Sequence, residues 1–79
     1  MESVLFIATR GNDDPVLATF PYDLAVGAGR AGYRASVALL GESVVTVRSE
    51  VVEAIEGTGV PPLRQVVREA RELGIPVYV

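Results

Sequence analysis

Cysteine, histidine and lysine are all missing from the 79 residues of this chain. Without cysteine there is no disulfide framework, no thiolate nucleophile and no Cys/His zinc site. Without histidine there is no imidazole acid–base chemistry. Carboxylates alone could still hold a hard cation, but no metal site and no cofactor is expected. All seven cations are arginine, against ten acidic residues, for a net charge of -3. That balance argues against nucleic acid, because phosphate binding needs a basic surface. No apolar run is long enough to span a bilayer, and no basic start leads into an apolar region with a cleavage site. No membrane association and a cytoplasmic location are the expectations.

What remains is a globular composition, 49% apolar and 22% charged. The length allows one domain, 1–79, with a modest core that often depends on partners. The chain is organised around Ser3–Pro15, SVLFIATRGNDDP. Val4 to Ala8 is continuously apolar rather than alternating, which points to a strand covered on both faces. Gly11, Asn12, Asp13 and Asp14 end it with turn chemistry. Asp13 or Asp14 can cap a helix, and Pro15 suits the first helical position. In an open parallel sheet this turn lies at the carboxyl edge, where ligands bind. Thr9, Arg10, Gly11 and Asn12 are therefore the candidate ligand-binding residues. The plainer reading makes 9–14 a well-capped turn and nothing more.

Pro15 to Ala31 reads as a helix. Leu17, Phe20, Leu24, Ala28 and Ala31 share one face; Thr19, Asp23 and Arg30 share the other. Pro21 predicts a kink or break. Gly27 and Gly29, with Ala25 and Ala28, make a thin surface suited to packing on a sheet or, less simply, to a subunit contact. Gly32 ends the helix, and Tyr33 to Leu40 forms the second strand. Glu42 to Arg48 is ambiguous: Val44, Val45, Thr46 and Val47 favour a strand by β-branching, yet a short helix also fits. Ser49 can cap a short helix running to Glu56. Pro61 and Pro62 launch the clearest helix, with Leu63, Val66, Val67, Ala70 and Leu73 as its apolar stripe. Arg64, Gln65, Arg68, Glu69 and Glu72 face water. Ile75 to Val79 is the third strand, with Pro76 near its start or at an edge. Right-handed crossovers between such strands give a parallel sheet. With the first strand central, the expected order is 2-1-3, and a topological switch point falls between strands one and three.

Gly27-Ala28-Gly29-Arg30-Ala31-Gly32 matches G-x-G-x-x-G, with Glu50 near the offset of a ribose-binding acid. A Rossmann reading needs a strand over Asp23–Val26 and a helix over Arg30–Leu40. It leaves the strand-turn-helix at Ser3–Pro15 without a role, so dinucleotide binding through Gly27–Gly32 stands only as an alternative.

Read this far, the chain resembles the DsrE/DsrF-like family of sulfur-relay proteins. The matching pieces are VLFIATRGNDDP, then ATFPYDLAVGAGRAGYRASVALLGESVV, then GTGVPPLRQVVREARELGIPVYV. The resemblance implies a flavodoxin-like three-layer sandwich and assembly into homo-oligomers, trimers or hexamers, or with related subunits. It also makes Glu42 to Arg48 helical. In that family a persulfide-bearing cysteine follows the strand matching Ile75–Val79. The chain ends before that position, so no catalytic residue carries over, and an incomplete fold or fragment is the expectation. The functional expectation is a thiol-free scaffold or docking subunit rather than an enzyme. The alternatives are a small-anion or nucleotide module using the turn at Thr9–Asn12, and a structural subunit built on the thin Ala/Gly helix and an open sheet edge. An acid–base enzyme built on Asp13, Asp14 or Asp23 is weaker still, because carboxylates at a helix start usually serve as caps.

Overall fold

The computed structural model describes residues 2–79. Strand β1 (Ser3–Ala8) leads into helix α1 (Pro15–Arg30), and strand β2 (Arg34–Leu39) follows. A 3-10 segment (Gly41–Val47) and the short helix α2 (Ser49–Ala54) come next. Helix α3 (Leu63–Glu72) and strand β3 (Val77–Tyr78) complete the order. The three strands form one parallel sheet, as the βα alternation predicts.

The strand order is β1-β2-β3, not 2-1-3. Packing on one side explains the difference. The Val37 N–H donates to the Pro76 carbonyl at 3.0 Å, so β3 lies beside β2. The Glu69 carboxylate of α3 meets Arg30 of α1 at 2.9 Å. A Cβ built on Gly29 would touch the Ile75 side chain at 3.3 Å. The end of α1 is thus thin enough for the segment after α3 to close against it and enter the sheet beyond β2.

This order also removes the third layer. Right-handed crossovers that keep moving in one direction across a sheet put their helices on the same face; a reversal is what splits them between faces. Here α1 packs on β1, β2 and α3. The architecture is therefore two-layered, helices on one side of the sheet, rather than a three-layer sandwich. No switch point exists between β1 and β3, because the order never reverses.

The core lies between the sheet and α1, α2 and α3. Its members include Ala8, Ala35, Val37 and Leu39 from the strands, and Tyr22, Val26, Val52, Leu63 and Val66 from the helices. Asp14 starts α1 by accepting from the Leu17 N–H at 3.1 Å, with Pro15 in the first turn. Gly32 stops it with φ of 96°, a conformation glycine adopts without strain.

Several expectations change. The helix runs through Pro21 without a break. Its buried side carries Ala18, Thr19, Tyr22, Ala25 and Val26, while Leu17, Phe20 and Leu24 are exposed. Small residues win the inner side because they let the helix approach the sheet closely. Residues 41–47 are helical, of the 3-10 type, against their β-propensity. Ser49 lies inside α2; Arg48 is the cap residue and supplies no side-chain bond. Strand β3 spans only Val77–Tyr78, shorter than Ile75–Val79. The stripe of α3 holds at Leu63, Val66 and Ala70, whereas Leu73 is exposed.

Candidate functional site

The carboxyl edge of the sheet brings together the turn after β1 and the 3-10 segment after β2. Gly11 is buried at their junction. A Cβ there would sit 2.5 Å from the Glu42 carbonyl oxygen and 2.8 Å from a methyl of Val45. The two loops are pressed together, and glycine is what lets them meet.

Ser43 and Thr46 fasten this junction from below. Both are buried polar residues. The Ser43 hydroxyl is 2.7 Å from the carbonyls of Ala8 and of Leu40, tying the ends of both strands. The Thr46 hydroxyl donates to the Ser43 carbonyl at 2.7 Å. Its single proton is thereby spent, so across the 3.1 Å contact with Tyr22 the tyrosine hydroxyl is the donor. The run Tyr22 to Thr46 to Ser43 to β1 joins α1, the 3-10 segment and the sheet. Burial raises the Tyr22 pKa above its ordinary value.

The predicted site residues all lie on the turn after β1. Thr9, Arg10 and Asn12 are exposed. Arg10 Nη1 pairs with Asp13 Oδ2 at 3.0 Å, and the Gly11 N–H donates to Asp13 Oδ1 at 2.8 Å. Those two bonds hold the Asp13 carboxyl below its ordinary pKa, the Gly11 bond being the larger influence. Asp14 occupies the helix start. The Gly11 N–H and one guanidinium nitrogen of Arg10 are therefore already matched by Asp13. This is the geometry of a closed, capped turn. Among the described residues no three acidic side chains converge as a metal site.

The G-x-G-x-x-G segment is not a strand-to-helix turn. Residues 23–26 are helical, and Gly27 to Arg30 form the last turn of α1. Gly32 follows its end, where carbonyls rather than N–H groups are free. Arg34–Leu39 is a strand rather than the helix a Rossmann unit needs there. The dinucleotide reading is overturned by this placement.

The feature that sequence reasoning missed is the open side of the sheet. Alternation along β1 turns Val4, Phe6 and Ala8 inward and Leu5 and Ile7 outward. Leu5 and Ile7 are each 55% exposed. The register aligns Ile7 with Ala38, and Ala38 with Tyr78, itself 58% exposed. An apolar row thus crosses all three strands on the uncovered face. The unbroken apolar run Val4–Ala8 was the signal: it fits a strand covered on both faces, and only one is covered by the described residues.

These features define a parallel, two-layer α/β domain with one apolar sheet face open. None of the family models, curated proteins or solved structures compared with the chain matches it.

Proposed function

We propose that the chain is a DsrE/DsrF-like scaffold or docking subunit of a sulfur-relay assembly, covered on its open sheet face by a copy of itself or a related subunit. The docking part of this reading is carried by the row Ile7–Ala38–Tyr78 with Leu5 beside it; its sulfur-relay part rests on the sequence resemblance alone. All-parallel sheets occur with both faces covered, and an apolar strand left in water is an association surface. These 79 residues hold no thiol and so offer no acceptor for a persulfide, which favours a scaffold or docking role for them.

Two measurements test it. Sedimentation velocity at micromolar concentration is expected to give a species heavier than the 8.4 kDa monomer, alone or with an added subunit. A monodisperse monomer under both conditions overturns the reading. Incubation with a cysteine desulfurase and labelled cysteine is expected to leave this chain unlabelled. A stable sulfur adduct on it would remove the non-catalytic assignment.

A further inference from the structure

We propose that the cleft between the 3-10 segment, α2, α3 and β3 binds an amphipathic organic oxyanion, an apolar body ending in a carboxylate or phosphate. The cleft has a volume of about 580 Å³, within the range of small-molecule sites. Its apolar wall includes Val47, Val52, Val67 and Ile75. Its charged wall is α3, which contributes Arg64, Arg68 and Arg71.

Helical periodicity explains why those three converge. Positions 64, 68 and 71 are separated by four and three residues, so they fall on one narrow strip of α3. Val67 lies between this strip and the buried stripe Leu63–Val66–Ala70. Glu69 turns away from this strip to meet Arg30, while Glu72 lies one turn after Arg68 at the strip's edge and, among the described residues, is not ion-paired with it. The cleft lining thus takes three arginines and neither glutamate from α3, in a chain of net charge -3.

Pairing decides which of the three are available. Arg64 is engaged with Glu56 at 2.6 Å. Arg68 and Arg71 have no ion-pair partner among the described residues. Glu53 is the one acid lining the cleft, so two free guanidinium groups outweigh one carboxylate. A guanidinium presents a planar fork that fits a carboxylate or phosphate with two parallel bonds. Tyr22 lines the same cleft, but its hydroxyl is engaged with Thr46 in a buried contact. Charge recognition falls to Arg68 and Arg71, and the valine wall takes the apolar body.

The test is titration of the whole chain, followed by amide NMR, with four probes: octyl phosphate, octanoate, octanol and inorganic phosphate. Octyl phosphate or octanoate is expected to bind saturably and to shift amides of 46–53 and 64–71; whichever binds more tightly identifies the head group. Octanol and inorganic phosphate are each expected to bind at least about tenfold more weakly, because each offers half of the recognition. The Arg68→Gln/Arg71→Gln double variant should weaken the better probe by at least about tenfold, while Arg34→Gln, outside the cleft, should leave it unchanged. Both substituted arginines are exposed and unpaired, so an unchanged spectrum away from the cleft confirms the fold. Equal affinity for octanol and the anions, equal loss in Arg34→Gln, or no saturable shift with any probe overturns the proposal.

Discussion

Tyr22 gives its hydroxyl proton to Thr46 across 3.1 Å in a buried contact, because Thr46 has already given its own to the Ser43 carbonyl. The direction of that bond makes the two residues unequal. Tyr22→Phe removes a donor and leaves the Thr46 oxygen still engaged with Ser43, at a loss of about 1 kcal/mol. Thr46→Val strands the Tyr22 hydroxyl and the Ser43 carbonyl together, at a loss of about 2–3 kcal/mol. The double variant should be less destabilised than the sum of the two. Urea denaturation of all four proteins measures this, and strict additivity would show that the bond is not formed.

The same contact predicts an alkaline limit. Burial raises the Tyr22 pKa in the folded chain. A raised folded pKa means that the native state holds the proton longer than the unfolded one. Its contribution is complete below the unfolded value of about 10 and is lost as pH climbs through the folded value. Stability should therefore decline above about pH 10 in the native sequence, and this decline should be shallower in Tyr22→Phe. Thermal melts across that window give the comparison.

Much of the fold is legible in the chain because local chemistry and tertiary packing agree there. The strand-turn-helix at Ser3–Pro15 is one case: apolar run, Asp14 cap and Pro15 all point the same way. The stripe of α3 is another. What could not be read are the choices that packing makes between equals. Helix α1 carries two candidate stripes, and the larger side chains Leu17, Phe20 and Leu24 suggested the wrong one. Close approach of helix to sheet selects Ala18, Ala25 and Val26 instead. Strand order is likewise invisible locally, since Ile75 could have paired beside either neighbour until Gly29 admitted it on one side. The candidate ligand residues Thr9, Arg10, Gly11 and Asn12 share one turn as expected. That Asp13 would engage the Gly11 N–H and Arg10 depends on side-chain geometry, which spacing does not fix.

Gly11 and Gly27 make opposite predictions for the same substitution. At Gly11 a new Cβ would collide with backbone, 2.5 Å from the Glu42 oxygen, so the two loops must separate. Gly11→Ala should destabilise by about 1–3 kcal/mol. At Gly27 a Cβ meets nothing within 4 Å, and the position is inside a helix and exposed. Gly27→Ala should stabilise by up to about 1 kcal/mol, the helix-propensity difference. Chemical denaturation of both variants checks the pair.

The acid side of the stability profile should report the turn after β1. The bonds from the Gly11 N–H and Arg10 lower the Asp13 pKa. A lowered folded pKa gives a contribution present above the unfolded value of about 3.9 and lost as pH falls through the folded value. Asp13→Asn should flatten the decline in stability below about pH 4. The paired denaturation series should converge at the lowest pH; a persistent constant gap would mean that the carboxylate's charge is not what matters.

Two apolar surfaces compete for the role of docking face. One is the open sheet row at Leu5, Ile7 and Tyr78; the other is the outer stripe of α1 at Leu17, Phe20 and Leu24. The sheet row is favoured because helices cover the opposite side and none of the described residues covers this one, whereas an amphipathic surface helix normally leaves its outer side in water. Ile7→Glu and Phe20→Glu separate them. Each places a carboxylate on an exposed position, so the free subunit should fold in both cases. A carboxylate forced into a closed interface costs about 3 kcal/mol or more, which raises a dissociation constant more than about 100-fold. Sedimentation velocity of Ile7→Glu should therefore show monomer at concentrations where the native chain and Phe20→Glu remain associated. Dissociation by Phe20→Glu alone would move the contact to α1 and leave the open sheet face without its assigned role.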